Sequence, residues 1–490
     1  MKLVTSLAGV ALHALVCTGS VQAQLEGFEA RRAEARELLL EGLEEHGEWL
    51  RGKRLFVERE RVLGQILALD PENGEALRAL GWTKDKTGTW TPPKKPKTFK
   101  NYGTGALEEV PERYLDSIAP YLEAMRALLA HAELSKEQRA ALVEDFLVAS
   151  PDDAALRAER GEVKAGERWI LAETAASVER RGEIGALAKR ALQEVPAPEA
   201  AIPTSRETQM GTWSKVLVTP VGRILGTVPD EELAQAAREL PASLAFFRAM
   251  LAEGASLPQP LTVVLLAGPE QRAPFLARHP TLRPEAIARL EGTSGTWIDE
   301  VNDIVYWTEV EEYRRDGVVR LLINRLLEGT HRIGLSHAWA HEGVGLYLTE
   351  ALVGTRLTWF VPGLDADGGS ELRTTLLGSS DWRRVALERA GRGSKLRDVV
   401  AKPAAQFTAD DLLRSYLFAA FLFEAHSEAV VDVLRGVGVG KDARRVIEQV
   451  LGRDLDDLDA RLDRWLFETK VQEEALLEVP TRVSSAKEQR

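Results

Sequence analysis

Apolar residues recur every three or four positions through the first part of the chain, which is the spacing of one face of an α-helix. Val62, Leu63, Ile66 and Leu67 form one such set, within residues 25–90, a stretch that is dense in Leu, Ala, Glu and Arg. The pattern predicts that the first 200 residues are helical.

A short phrase occurs twice in this helical region. Residues 68–82 read ALDPENGEALRALGW, and residues 149–169 read ASPDDAALRAERGEVKAGERW. In each copy a Pro breaks one helix and opens the next, because Pro is tolerated in a first helical turn. A Gly-containing turn then leads to a Trp, from Gly81 to Trp90 and from Gly161 to Trp169. The phrase resembles a helix junction of the tetratricopeptide type, whose stacked helices present surfaces rather than chemistry. Ordinary helical packing is the alternative interpretation.

The pattern changes after the Pro- and Ala-rich segment 195–205, which predicts a domain boundary. Short β-branched runs predict strands, and helical spacing predicts helices between and after them. The predicted strands are 216–218, 221–225, 261–266 and 304–307, and the predicted helices are 230–251, 316–328, 336–353 and the chain from 409 onward. We therefore expect an α+β protein that is mainly helical, with a helical repeat-like region at 24–200 followed by a domain with a small mixed sheet and a helical C-terminal part.

The first 23 residues have the three parts of a secretory signal, namely Lys2, a mostly apolar stretch at 3–16 and a small-residue cleavage site that ends at Ala23. We expect cleavage after Ala23 and export to a periplasmic or extracellular location. The apolar stretch is too short for a good membrane span, and no other segment is apolar for long enough. Cys17 is the only cysteine, so the mature chain is expected to have no disulfide and no thiolate metal ligand.

The formal net charge of −12 argues against a general nucleic-acid role, because binding phosphates requires a positive face. The basic run at 94–97 lies among prolines and is typical of a solvated linker. The charge therefore predicts that nucleic acid is not the partner.

Residues 335–350, LSHAWAHEGVGLYLTE, place Trp339, Glu342, Gly343 and Tyr347 on one predicted helix. This phrase resembles the second metal-binding helix of gluzincin metallopeptidases, the peptidase-MA-like group. In that family the glutamate is the third zinc ligand and the glycine lets the preceding helix pack closely. The order of strand, hairpin and two helices also resembles such a domain. The resemblance covers about residues 205–470, and it implies a peptidase-MA-like domain at 205–475 and a flexible tail at 476–490.

A gluzincin requires His-Glu-x-x-His on the preceding helix, where two imidazoles bind zinc and the Glu activates the metal-bound water. The register that the resemblance implies puts Arg320-Leu321-Leu322-Ile323-Asn324 there, with Asn324 18 residues before Glu342. A guanidinium cannot ligate zinc, and Leu321 cannot act as a base. The resemblance therefore implies a degenerate domain without catalysis or zinc.

A carboxylate that has lost its metal needs another partner if it is half-buried. Arg320 is the natural candidate for Glu342, and a salt bridge between them would join the same two helices that a zinc ion would join. We therefore predict contact between these two side chains.

Two other interpretations of the metal ligands stay open. A second register, LEGTH at 327–331, keeps a Glu and the second His but leaves only ten residues before Glu342. His337 and His341 are four residues apart on a predicted helix, and they could bind zinc together with Glu342 or His331. That arrangement predicts an active metallohydrolase with a non-standard zinc site.

The leading prediction is an exported pseudopeptidase that binds a protein or peptide. Tyr306, Trp307, Trp339 and Tyr347 are candidate cleft residues, although the last two also fit simple core positions. The strand at 304–307 is expected to present an edge, and an exposed edge can accept an extended peptide. A purely structural helical scaffold is the remaining alternative.

Overall fold

The structure is a computed structural model that describes residues 7–95, 98–131, 133–257, 260–290, 293–360, 371–389 and 392–478. The chain divides into two compact units, Met1–Glu162 and Val163–Arg490. Each unit has its own hydrophobic core.

The first unit is built from helices. They are α1 (Leu7–Gly52), α2 (Phe56–Leu69), α3 (Gly74–Ala79), α4 (Val110–Ser117), α5 (Ala119–Leu129), α6 (Lys136–Ala149) and α7 (Ala154–Glu159), with a 3-10 turn at Thr104–Glu109. Their apolar faces meet in one cluster around Leu43, Ile118 and Phe146. The backbone of α1 is helical through the predicted cleavage position, while residues 1–6 lie outside the described part of the chain.

The phrase that occurs twice in the sequence adopts the same local structure twice. Both short helices, α3 and α7, begin at a side-chain cap, because Asn73 and Asp153 each accept a hydrogen bond from a backbone N–H three residues later. A two-stranded hairpin follows each helix: β1 (Thr83–Lys84) pairs with β2 (Trp90–Thr91), and β3 (Glu162–Ala165) pairs with β4 (Arg168–Leu171). The helix break, Gly turn and Trp therefore form one repeated element.

Each hairpin ends with the same cation–π contact. The Lys84 ammonium lies 5.4 Å from the Trp90 ring centroid, and the Lys164 ammonium lies 5.7 Å from that of Trp169. These distances lie within the range in which an aromatic ring attracts a cation. The Trp at the end of each copy therefore packs within its own hairpin.

The second unit contains one mixed sheet. Its strands are β5 (Glu199–Ala200), β6 (Lys215–Val218), β7 (Gly222–Gly226), β8 (Leu261–Leu265), β9 (Gly295–Ile298) and β10 (Asp303–Tyr306). Their order is β5-β6-β7-β8-β10-β9. The pairs β7–β8 and β8–β10 are parallel, and the others are antiparallel.

Helices make up the rest of this unit. They are α8 (Ala172–Gln193), α9 (Ser205–Met210), α10 (Asp230–Met250), α11 (Arg272–Arg278), α12 (Pro284–Arg289), α13 (Glu311–His331), α14 (Ala338–Val353), α15 (Glu371–Gly378), α16 (Trp382–Glu388), α17 (Leu396–Val399), α18 (Ala409–Ala425), α19 (Val430–Gly438), α20 (Ala443–Leu451) and α21 (Leu455–Glu478). The expected α+β fold, mainly helical with a small mixed sheet, is confirmed.

The sheet separates two apolar clusters because successive side chains of a strand point to opposite faces. On β10, Ile304 and Tyr306 join the larger, helical cluster, whereas Val305 and the following Trp307 join the smaller one. The larger cluster holds α8, α10, α13, α14 and α18, so the two helices of the predicted metal site pack on this side of the sheet.

The division between the units lies earlier than the sequence predicts. Helix α8 buries Ile184, Ala188 and Ala191 in the core of the second unit and packs against α10, α14, α18 and α21. The segment 195–205 is therefore a connection inside the second unit that includes β5. At the other end α21 continues to Glu478, past the predicted start of the tail, and residues 479–490 lie outside the described chain.

None of the described helices combines the length and the apolar character that crossing a bilayer requires.

Candidate functional site

Helices α13 and α14 lie side by side and bring the predicted site residues together. The chain leaves α13 through Arg332, which has a left-handed backbone, and re-enters a helix at Ala338 after a short 3-10 turn. Arg320 and Asn324 occupy the α13 side of the contact, and His341 and Glu342 occupy the α14 side. The structure therefore brings Arg320, Asn324 and Glu342 of the predicted site together.

The predicted salt bridge between Arg320 and Glu342 is confirmed. Arg320 Nη2 lies 2.9 Å from Glu342 Oε2, and it also donates to the Glu342 backbone carbonyl at 2.9 Å. Neither side chain exposes any surface to solvent. A buried charge of this kind requires a partner of opposite charge, so each of the two side chains supplies the partner that the other needs.

Asn324 and His341 complete the cluster. Arg320 Nη1 donates to Asn324 Oδ1 at 2.6 Å and to the His341 carbonyl at 3.1 Å. The Asn324 amide nitrogen lies 3.0 Å from His341 Nε2, and His341 Nδ1 lies 3.1 Å from Glu342 Oε1. Leu321 packs, partly buried, against the apolar core. Three of the four degenerate-site residues therefore form one hydrogen-bonded group, and Leu321 lies outside it.

A segment after α14 crosses this group. The Asp316 carboxylate accepts hydrogen bonds from the backbone N–H groups of Leu357 and Thr358, each at 2.9 Å. Two residues later the Phe360 N–H donates to both Glu342 carboxylate oxygens at 3.3 Å. The Phe360 ring also lies over the Arg320 guanidinium, 5.7 Å from centroid to carbon. We call residues 357–360 the strap; Asp316 and Glu342 tie it across the ion pair.

The charges in this group balance one another. Burial by itself would raise the pKa of Glu342, but the positive charge of Arg320 and the contact with His341 outweigh burial and lower it. Glu342 is therefore ionised at neutral pH. A guanidinium remains protonated in proteins, so the pair is an ion pair rather than a neutral contact.

These residues do not fit a zinc ion. Arg320 offers only N–H donors at the position of the first histidine ligand, and it already fills the space beside Glu342. Leu321 offers no base, and the Asn324 carbonyl oxygen is engaged by Arg320. The donor set that zinc requires, several lone pairs directed at one point, is therefore not formed by these four residues.

The alternative histidine site is not assembled either. His331 packs near the Phe247 ring at 6.4 Å, and His337 Nδ1 contacts the neighbouring Ser336 hydroxyl at 3.1 Å, so only His341 lies beside Glu342. Burial lowers the pKa of both His331 and His337. Across the described residues, no three His, Cys, Asp or Glu side chains are grouped as a metal site. The sequence predicts a shared face for His337 and His341 because residues four apart in one helix lie on the same side. His337 precedes the first turn of α14, so this spacing does not bring the two side chains together.

The four aromatic residues predicted to line a cleft do not line one together. Tyr306 and Trp307 point to opposite faces of the sheet, and both are buried. Trp339 packs against Phe418, and Tyr347 stacks on a phenylalanine of α18. The strand that carries Tyr306 is also not an edge, because β8 and β9 pair with it on either side.

The edge of the sheet is β9, one strand further out among the described strands. The Trp307 N–H donates to the Ser294 carbonyl, so by the alternation of antiparallel pairs Thr296 and Ile298 direct their backbone groups to β10. Gly295 and Trp297 then direct theirs to the open side. Sequence reasoning missed Trp297, although its GTW phrase marks the first strand of the predicted hairpin.

The Trp297 side chain connects this edge to α13. Its ring lies 5.3 Å from the Arg325 guanidinium carbon, and its indole nitrogen is buried with no hydrogen-bond partner among the described residues. Arg325 also contacts Asp299 at 3.3 Å. The edge strand and the site helix are therefore joined by one aromatic–cation contact that leaves a polar N–H unused.

Two glycines of α14 set the spacing of the neighbouring helices. A Cβ at Gly343 would overlap the Ser415 carbonyl on α18, and a Cβ at Gly345 would overlap the Arg320 guanidinium. The resemblance implies that Gly343 faces the preceding helix, but the structure gives that role to Gly345.

Comparisons with known proteins identify no relative. No family model matches the chain, and no curated protein or solved structure matches it at a significant level. The gluzincin and tetratricopeptide resemblances therefore enter only as proposals below.

Proposed function

We propose that this protein is an exported, non-catalytic relative of the gluzincin metallopeptidases that binds an extended peptide or protein segment. The observation that carries the proposal is the buried Arg320–Glu342 ion pair, which lies where the resemblance puts the zinc ion. The pair joins α13 to α14, the two helices that a metal would join, so the fold keeps its geometry without the metal.

The strap supports a non-catalytic role. Both Glu342 carboxylate oxygens accept the Phe360 N–H, and Asp316 binds the two residues at the start of the strap. In a metallopeptidase the third ligand must face an open position where water and substrate can bind. Here the corresponding carboxylate is enclosed by an arginine and by backbone.

The β9 edge supports a binding role. Gly295 and Trp297 direct backbone N–H and C=O groups away from the sheet, and an extended peptide can pair with such groups by adding a strand. Backbone pairing gives affinity with modest sequence preference, because every peptide carries the same backbone groups. This edge replaces the strand at 304–307 as the proposed peptide surface.

The first experiment tests the lost metal site. The mature protein is purified without chelators, offered zinc, dialysed and analysed for metal, beside a variant that combines Arg320→His, Leu321→Glu and Asn324→His. We expect no stoichiometric zinc in the natural sequence and about one zinc per chain in the variant, because the variant restores two ligands beside Glu342, and a base. One tightly held zinc in the natural sequence, lost in His341→Ala, would overturn the proposal.

The second experiment tests the binding role. Random extended peptides are selected on the immobilised protein, and the selected peptides are measured against Trp297→Pro and Trp297→Val. Both variants lose the indole, but only the proline loses an outward N–H, and it breaks no pair with β10. We expect the proline variant to bind at least tenfold more weakly than the valine variant. Equal binding by the two variants would contradict strand addition at β9.

A further inference from the structure

A second polar group lies on another side of α14. Tyr347 and Glu350 are turned roughly 140° and 80° around this helix from Glu342, at 3.6 residues per turn. Together with α8, α16 and α18 they line an open cavity of about 310 Å³. The cavity has charged groups at both ends, so it is suited to a polar ligand rather than to an apolar one.

One end of the cavity is formed by Glu424 and its partners. Glu424 is buried and accepts hydrogen bonds from Arg383, from Arg181 and, at 3.1 Å, from the Tyr347 hydroxyl. Burial by itself would raise the pKa of Glu424, but Arg383 and Arg181 outweigh burial and lower it. The carboxylate is therefore ionised, and it fixes the Arg383 side chain at the cavity wall.

Arg383 keeps hydrogen-bonding capacity for a ligand. A guanidinium has five N–H donors, and Arg383 gives two of them to Glu424 within the described structure. Its guanidinium also lies 5.1 Å from the Trp465 ring centroid, which holds its plane. A planar, fixed guanidinium with unused N–H groups is the group that best recognises a carboxylate.

The other end carries an acceptor. Glu350 accepts hydrogen bonds from Arg356 and from the Tyr416 hydroxyl. An ionised carboxylate has about four acceptor sites, and the Glu350 side chain is 27% exposed. Acceptor sites therefore remain for a ligand cation, and an ammonium group is the simplest donor that fits.

The distance between the two ends selects the size of the ligand. Tyr416 and Glu424 are eight residues apart on α18, which is about 12 Å along the helix axis at 1.5 Å per residue. The wall between them is formed by the Tyr347 ring and by small residues, Gly185 and Ala351. An extended peptide covers about 3.5 Å per residue, so about three residues span this distance.

We infer that this cavity binds a short peptide with two free termini, with its ammonium group at Glu350 and its carboxylate at Arg383. The inference is independent of the proposed function, because it uses no residue of the Arg320–Glu342 group, of the strap or of β9. The ligand proposed for the cavity is a small zwitterion, whereas the ligand proposed for the β9 edge is an internal extended segment.

Calorimetric titration of the full chain with trialanine tests the inference. N-acetyl-trialanine and trialanine amide are the matched probes, since each removes one terminal charge and keeps the same length. We expect trialanine to bind and each blocked peptide to bind at least tenfold more weakly. Absence of trialanine binding, or equal binding of either blocked peptide, would overturn the two-ended site.

A pair of glycine variants locates the binding. Gly185 lines the cavity and Gly182 lies on the same helix outside it, and a Cβ at either position meets no atom within 4 Å. Gly185→Leu places a side chain in the cavity and replaces no residue of an ion pair, so we expect trialanine binding to fall at least tenfold, while Gly182→Leu binds as the natural protein does. Equal affinity in the two variants would place the peptide elsewhere and overturn the inference. Thermal unfolding of both variants verifies folding, and the blocked peptides decide the case if Gly185→Leu is unstable.

Discussion

Gly345 of α14 lies directly against the Arg320 guanidinium on α13, in the space that any other side chain would occupy. The guanidinium reaches Glu342 because position 345 of α14 carries no Cβ. The ion pair therefore requires a charged residue on each helix and a glycine at position 345, where a side chain would occupy the space of the guanidinium.

The first prediction concerns this glycine. Gly345→Ala is expected to lower the free energy of unfolding by about 1–3 kcal/mol, the usual cost of overfilling a packed site. Gly329→Ala on α13 is the matched control, because a Cβ there meets no atom within 4 Å. Alanine is a better helix former than glycine, so the control is expected to gain about 0.5–1 kcal/mol. Denaturant unfolding of both variants measures the difference, and equal changes would contradict close packing at Gly345.

The second prediction concerns the ion pair as a unit. Arg320→Met leaves Glu342 buried without its counter-charge, so the free energy of unfolding is expected to fall by about 3–5 kcal/mol. Replacing both residues, as Arg320→Met with Glu342→Leu, removes the uncompensated charge and is expected to restore most of that loss. A double-mutant cycle from denaturant unfolding gives the coupling.

An exposed pair provides the control for this cycle. Arg384 and Glu388 contact each other on the surface of α16 and are both more than half exposed, and such pairs contribute about 0–1 kcal/mol. Coupling between Arg320 and Glu342 as small as that of the exposed pair would contradict a structural role for the buried one.

The third prediction concerns pH. The pKa of Glu342 is lower in the folded protein than its ordinary value of 4.5, so ionised Glu342 stabilises the fold at every pH above that value. This contribution is lost as the pH falls through the folded pKa, because the unfolded chain then binds the proton more readily. We expect the stability difference between the natural protein and Glu342→Gln to be constant from pH 7 to about pH 5 and to shrink below about pH 4.5. A difference that does not change down to pH 3 would show that Glu342 does not titrate as an ion-paired carboxylate.

Much of the central architecture could be predicted because it depends on local periodicity. The β-branched runs that became β8 and β10, and the apolar spacing of α13 and α14, are patterns within single segments. The contact between Arg320 and Glu342 followed from one further physical argument, that a buried carboxylate needs a counter-charge. The prediction of the elements and the prediction of the ion pair both use residues whose spacing along the chain determines where they lie in the helices and strands.

Two features were not predicted because each depends on a partner from a distant segment. The predicted hairpin gives β10 one neighbour, β9, but the sequence does not indicate that β8, from an earlier segment, pairs with its other side, which makes β10 an inner strand. The strap likewise depends on Asp316, about 40 residues before it. The opposite directions of Tyr306 and Trp307 could have been predicted, because adjacent residues of a strand never share a face.

The fourth prediction concerns export. When the full chain is expressed in a host that exports proteins, mass spectrometry of the exported protein is expected to show an N-terminus at Gln24, after cleavage at the small residue Ala23. Ala23→Arg is expected to block cleavage, because the cleavage site requires a small residue there. An exported protein that keeps residues 1–23 would contradict the secretory signal.

The fifth prediction concerns the boundary between the units, and it rests on the contacts of α8. The Trp465 indole donates to Ser177 at 2.8 Å, and Glu468 accepts the Thr174 hydroxyl at the same distance. These polar contacts accompany the apolar face of α8 in the core, so a fragment that begins at 201 leaves buried polar groups of α21 without partners. Such groups cost about 1–3 kcal/mol each, in addition to the lost apolar contacts, and whole domains are stable by only about 5–15 kcal/mol.

We therefore expect a fragment of residues 163–490 to unfold in one cooperative thermal transition and a fragment of 201–490 to show none. Circular dichroism in the near and far ultraviolet distinguishes a packed core from helices without fixed packing. Residues 24–162 serve as the control for the first unit, which has its own core around Leu43, Ile118 and Phe146. If the fragment that begins at 201 unfolds at the same temperature as the longer one, then α8 is dispensable and the boundary lies at the Pro- and Ala-rich segment, where the composition of the sequence puts it.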